Sequence, residues 1–483
     1  MQTNIRRLAY LLLSCFILLS FYLGYINVLQ GPALAADPHN RRLAAYEAKI
    51  VRGVIYDREG VPLAENKREN NTLRRIYPQG ADAAQVVGFV SPRYGRTGLE
   101  SAYDRYLLGM TDEDKVKALL DRLLGRQQAG DNVVVTLDAR LQHLAMQLLA
   151  GRKGAVAALD PRTGDILALA SSPSFDPNNI DQVTGEKNGK PVTVYDQLQS
   201  NSAAPLLDRA AQGAYPPGSV FKLVTGSGAL AANPAVAQKV IDCRGGLTVN
   251  GFYLKDNAVH GVVNFRQALT VSCNTYFATL GLDLGKEKFY QTAVDFGLTK
   301  NPWDSGPGSI PEIAYRPGSL TPAAQMSRPQ LASSAIGQGH VLVNPLQMAL
   351  IAAAIANRGV IMRPHLLAEV RAPGGAVMLR DKPQPWLTAT TPEAAREMTA
   401  DMVAVVNSGT GRAAAIPGVT VAGKTGTAEN PAGAPHAWFT GFAPAGSPRV
   451  AVAVVLENAG YGGEAAAPVA REIMRAALTV PGI

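Results

Sequence analysis

The sequence predicts an α+β protein: one antiparallel sheet of about five strands, closed by terminal helices and interrupted by a long helical insertion. Two apolar strands, roughly Gly154 to Leu159 and Asp165 to Ala170, come soon after residue 138. Three more, roughly Val419 to Thr427, Ala437 to Phe442 and Arg449 to Leu456, come near the far end. The span between them, about 176 to 410, reads as mainly helical and loop-rich, so it is inserted between the second and third strands.

The elements follow in order. From Leu8 to Gln30 no residue is charged, and Leu8 to Leu29 as a helix would be about 33 Å long, enough to cross a bilayer. Arg6 and Arg7 precede this run and belong on the cytoplasmic side, which puts the rest of the chain outside. Ala33-Leu34-Ala35 resembles a cleavage site for a signal peptidase, the competing reading; the length of the apolar run favours an uncleaved anchor. The expected parts are a cytoplasmic tail (1–7), a transmembrane signal-anchor (8–30), a mixed pedestal (37–137) and a main unit (138–483).

In the pedestal, Arg52 to Leu63 reads as two short strands joined by a turn at Asp57–Gly60. Thr111 caps an acidic first turn, with Val116, Leu119, Leu120 and Leu123 on one helical face, and Val133 to Leu137 is a strand. Asp138 caps a helix that is apolar at Leu141, Leu144, Ala145 and Leu148 and ends at Gly151. Asp160–Gly164 is the turn between the first two strands of the main unit, and residues 463 to 478 form its closing helix.

Composition excludes several functions. The chain has 483 residues, 47% hydrophobic and 17% charged, enough for two or three domains with a large core. A net charge of +8 without a basic run interleaved with aromatics gives no case for nucleic acid. Of three cysteines, Cys15 falls in the apolar run; whether Cys243 and Cys273 pair is open. No Cys/His group has metal-ligand spacing, so neither metal nor cofactor is expected. Gly409-Thr410-Gly411-Arg412-Ala413-Ala414 imitates a dinucleotide fingerprint but follows a helix rather than a strand, so it reads as a glycine-rich hinge.

Three short patterns carry chemistry. In Tyr215-Pro216-Pro217-Gly218-Ser219-Val220-Phe221-Lys222 the prolines stop a helix from extending upstream, so one begins at Gly218-Ser219. Ser219 and Lys222 then share a face, and a buried, neutral Lys222 could take the proton of a nucleophilic Ser219. Ser272 and Asn274 suit a loop joining two helices, the hydroxyl to relay a proton and the carboxamide to clamp a peptide carbonyl. In Gly423-Lys424-Thr425-Gly426-Thr427, Lys424 offers a fixed positive charge and Thr425 a hydroxyl for a carboxylate. Gly426 permits close backbone approach, and the Thr427 N–H completes an oxyanion hole with that of Ser219. Taken singly, each pattern could equally be helix-capping residues or an ordinary strand.

Together, in the order 219, 272, 424, the patterns resemble those of the penicillin-interacting serine enzymes, and more closely those of the class B penicillin-binding proteins. Trp438-Phe439-Thr440-Gly441-Phe442-Ala443-Pro444, Arg52-Gly53-Val54-Ile55-Tyr56-Asp57-Arg58 and Tyr94-Gly95-Arg96-Thr97-Gly98-Leu99-Glu100 extend the resemblance over nearly the whole chain. It implies a penicillin-binding transpeptidase (β-lactamase-like) fold. It also implies a D,D-transpeptidase that acylates Ser219 with a stem peptide ending in D-Ala-D-Ala and cross-links it to a second peptide. β-Lactams would acylate the same serine, and a multi-span membrane glycosyltransferase would be the partner. A D,D-carboxypeptidase or β-lactamase-type hydrolase, and a non-enzymatic penicillin sensor or scaffold, are the alternatives. No candidate appears for a deacylating carboxylate; the nearest, Glu312, lacks a supporting asparagine.

Overall fold

The computed structural model describes residues 2–26, 30, 50–69, 72–111, 124, 127–304, 311–430 and 433–480. It opens with α1 (Gln2–Tyr25). Asn4–Tyr25, 22 residues of mean hydropathy 2.0 with none of the window buried, is long and apolar enough to cross a membrane. The helix starts upstream of the span predicted at 8–30, because arginine is a good helix former and Arg6 and Arg7 continue the winding. The helix expected after Thr111 lies outside the described residues.

The next unit is built from β1 (Ile55–Tyr56), β2 (Pro62–Glu69), β3 (Thr72–Ile76) and β4 (Asn132–Val135). The β1–β2 turn closes where Gly60 N–H donates to Asp57 O at 3.1 Å, while Asp57 Oδ1 accepts from the N–H groups of Glu59 and Val61. The two motifs noted in this region meet at Glu100, fully buried, which accepts from Arg52 Nε and Arg75 Nε at 2.6 Å each. Burial opposes its charge, but the two guanidiniums hold its carboxyl below the usual range.

Asp138 caps α2 (Ala139–Leu149) by accepting from Arg140 and Leu141 N–H, and β5 (Gly154–Leu159) and β6 (Ile166–Ser172) follow. The insertion contributes α3 (Lys222–Ala232), α4 (Phe265–Val271), α5 (Asn274–Leu284) and α6 (Pro345–Ala356). It also contains β7 (Leu367–Arg371) and β8 (Val377–Arg380), a hairpin in a stretch the sequence had placed among helices and loops. That hairpin joins the first unit, giving a six-stranded sheet in the order β8-β7-β4-β1-β2-β3 with Val370 opposite Val133. Periodicity alone did not reveal it, because the hairpin's pairing partner is more than two hundred residues upstream.

After α7 (Pro392–Ser408) come β9 (Ala422–Asn430), β10 (Gly433–Ala443), β11 (Val450–Leu456) and α8 (Gly462–Ala477). The central sheet has the predicted five antiparallel strands, ordered β9-β10-β11-β5-β6, so the first two strands and the last three do pair into one layer. Alternate residues on β5 and β11 face opposite sides. Val156, Ala158, Val452 and Val454 belong with α2 and α8, while Ala155, Ala157, Ala451 and Ala453 belong with α6. The alanines on the second face let the alanine-rich α6, buried from Pro345 to Ile355, lie close to the sheet. β9 stands at the edge of that sheet.

Candidate active site

Three separated stretches meet at β9. The first, Tyr215 to Lys222, is clamped from both sides. Tyr215 exchanges backbone hydrogen bonds with Val343 at 2.9 Å, its hydroxyl donates to Glu457 Oε1 at 2.8 Å, and Trp438 Nε1–H donates to Pro216 O at 3.0 Å. Gly218 has φ +56°, donates to Gly337 O at 2.8 Å, and could not carry a Cβ, which would stand 2.8 Å from Thr427 O. A Cβ on Gly426 would likewise stand 2.8 Å from Pro217 O. Two glycines therefore let the serine-bearing turn lie directly on the strand.

The turn Gly218–Phe221 is a 3₁₀ helix and the α-helix begins at Lys222, one turn later than predicted. Gly218, pinned between Gly337 and Thr427, tightens the chain there. In 3₁₀ winding residues i and i+3 are eclipsed, so Ser219 and Lys222 line up along the axis. The Lys222 N–H donates to Ser219 O.

The second stretch is the loop between α4 and α5. Ser272 ends α4 in the left-handed region (φ 63°, ψ 40°), a conformation that costs a residue with a Cβ about 1 kcal/mol. Lys222 Nζ, fully buried, donates to Ser272 O at 2.7 Å, Asn274 Oδ1 at 2.7 Å and Ser272 Oγ at 3.3 Å. Asn274 Nδ2, which the sequence assigned to a peptide carbonyl, donates to Lys255 O at 3.1 Å and keeps a second N–H for that use.

The third is β9 itself. Lys424 Nζ, also fully buried, donates to Ser272 Oγ at 2.9 Å and Thr425 O at 3.0 Å. The Ser272 hydroxyl thus lies between two amines. Burial pushes Lys222 down to about 8, with Asp256 resisting the shift. Burial, and then the charge of Lys222, push Lys424 well below the usual lysine value. Burial and the neighbouring amine thus both disfavour the positive charge that the sequence led one to expect at Lys424.

A group that the sequence did not flag holds this loop. Buried Asp256 accepts from Asn274 N–H (3.0 Å), Thr275 N–H (2.7 Å), Cys273 Sγ (3.1 Å) and Cys243 Sγ (3.2 Å). Burial opposes its charge, but the Thr275 and Asn274 N–H groups and the Cys273 thiol hold its carboxyl well below the usual carboxylate range. Lys255-Asp256-Asn257 looks like any polar turn in sequence, so nothing marked it. Cys243 and Cys273 are both free thiols. With Asp256 and His260 they place one ligand-type atom each within 4.8 Å of one another. These donors, spread from 243 to 273, lie on separate elements, so no motif spacing announces the group.

Residues 409–414 connect α7 to β9 through a 3₁₀ turn at Arg412–Ala414, and Thr410 Oγ1 lies 2.6 Å from Thr425 Oγ1, a contact the sequence did not signal. Glu312 accepts from the N–H of Leu367 at 3.4 Å and from the Trp303 indole at 3.4 Å, so its carboxylate supports the backbone beside β7.

Residues 154–475 match the family model of the penicillin binding protein transpeptidase domain, and residues 52–133 match that of the penicillin binding protein A dimerisation domain. The chain is 34% identical to the peptidoglycan D,D-transpeptidase PbpA of Mycolicibacterium smegmatis over 99% of both chains. It is 35% identical to the protein of that name from Mycobacterium tuberculosis, again over 99% of each. In three dimensions it is similar to penicillin-binding protein A from M. tuberculosis in its imipenem acyl-enzyme complex, with a TM-score of 0.80 and 35% identity, covering 90% of this chain and 100% of that one.

Proposed function

The chain belongs to the class B penicillin-binding proteins, peptidoglycan D,D-transpeptidases of cell-wall synthesis, and on that premise we propose that Ser219 is the nucleophile that cross-links stem peptides. Its oxygen attacks the carbonyl between the two terminal D-alanines while neutral Lys222 takes its proton. The N–H groups of Ser219 and Thr427 stabilise the oxyanion. As the C–N bond breaks, Ser272, reprotonated from the lysine pair, gives a proton to the departing D-alanine. An amine of a second stem peptide then attacks the ester, its proton passes back, the new amide forms and Ser219 is released. A β-lactam follows the same first step, opening its ring amide to leave an acyl group on Ser219.

The observation that carries this reading is the Ser272 hydroxyl shared between two buried amines, one of them a single 3₁₀ turn from Ser219. Asn274 holds a backbone carbonyl of the donor peptide, Thr425 receives its terminal carboxylate, and Gly426 keeps the strand free of a side chain where that peptide enters. The position of β9 at the sheet edge supports pairing of an extended peptide alongside it. The helix α1 anchors the protein in the bacterial cell membrane, and Arg6 and Arg7 favour an extracytoplasmic catalytic domain. Residues 52–133 are the surface we assign to partner contact, with a multi-span membrane glycosyltransferase as the partner the family implies.

Purified protein given lipid-linked glycan polymer and pentapeptide substrate tests the acceptor. Cross-linked product formed together with D-alanine is expected. Release of D-alanine without any cross-link would instead assign a carboxypeptidase.

A further inference from the structure

Resting on the assignment of Thr425 to the substrate carboxylate, we propose that Thr410 is a positioning residue for that carboxylate: its hydroxyl donates to Thr425 and so turns the Thr425 proton toward the ligand. The two hydroxyl oxygens are 2.6 Å apart, and among the described residues neither hydroxyl has another hydrogen-bond partner. Each hydroxyl has one proton, so the pair can be arranged in only two ways. When Thr425 donates to Thr410, a lone pair of Thr425 faces the cleft and repels an anion. When Thr410 donates to Thr425, the Thr425 proton is free, and polarisation along the chain of two hydroxyls makes it a better donor. An incoming carboxylate selects the second arrangement.

The backbone holds Thr410 in place for this task. Its N–H donates at 3.3 Å to Thr270 O, in the last turn of the helix that delivers Ser272. A Cβ on Gly409 would stand 2.4 Å from that same carbonyl, and a Cβ on Gly463, in the first turn of α8, would stand 2.5 Å from Thr410 O. Three elements around the site thus close on one residue, two of them through glycines. Thr410 is exposed whereas Thr425 is 6% exposed, so the relay runs from the rim inward.

The test compares acylation rate constants for benzylpenicillin, which has a free carboxylate, and its neutral methyl ester, on the full-length protein in detergent. Thr410→Val keeps the shape and removes the proton; it should slow the acid about tenfold, the scale of one charge-assisted hydrogen bond, and alter the ester less than about twofold. Thr410→Ser should restore the acid. Equal loss for acid and ester, or no loss for either, overturns the proposal. Thr425→Val separates the two levels of the reading. If it selectively slows the acid while Thr410→Val does not, only the role of Thr410 fails. If it slows acid and ester alike, the carboxylate assignment fails and the role of Thr410 with it.

Discussion

At the scale of single residues, the centre of the site is an oxygen between two nitrogens. Ser272 Oγ is 3.3 Å from Lys222 Nζ and 2.9 Å from Lys424 Nζ, and neither amine is exposed to water. Desolvation makes the neutral amine accessible near physiological pH. With deprotonated Lys222 as the proposed base and its pKa pushed down to about 8, the acylation rate should rise with pH and level off above that value. Measuring the rate with a chromogenic β-lactam from pH 6 to 10 checks this, and Lys222→Ala should lose at least about a hundredfold together with that limb. The placement of Ser219 and Lys222 one turn apart was legible because their spacing is local. Asp256 was not legible: its partners at 243, 273, 274 and 275 are brought to it only by tertiary folding.

At the scale of elements, the serine-bearing turn and β9 are a matched pair of backbones, each with a glycine where the other presses. Gly218→Ala would put a Cβ 2.8 Å from Thr427 O on a residue at φ +56°. It should cost about 1–3 kcal/mol of stability and slow acylation at least tenfold, as differential scanning calorimetry and penicillin labelling would show. A variant with unchanged melting temperature and rate would mean the contact is not tight. Sequence periodicity recovered the five central strands because both faces of β5 and β11 are buried and read as continuous apolar runs. It missed β8 because Val377, Met378 and Leu379 lie exposed on the sheet edge, and β7 because the strand it pairs with is more than two hundred residues upstream. It also took the first turn at Ser219 for α-helix, since prolines mark where winding starts but not its pitch.

At the scale of the whole molecule, the first unit and the catalytic unit share a sheet. Residues 367–380 complete six strands with residues 55–135, and Val370 is fully buried opposite Val133. A fragment of residues 138–480 would leave β7 without β4 and expose that face. It should aggregate on size-exclusion chromatography, whereas a fragment of residues 50–480 should elute as folded protein that still binds penicillin. Equal behaviour of the two fragments would show that the shared sheet adds little to folding.

Cross-linking through the proposed nucleophile requires Ser219 to become acylated. Labelling the full-length protein with a fluorescent penicillin, digesting it and locating the modified residue by mass spectrometry measures this directly. The expected result is one adduct, on Ser219, which Ser219→Ala abolishes without changing the melting temperature by more than a few degrees. An adduct on any other residue, or labelling that survives Ser219→Ala, would contradict it.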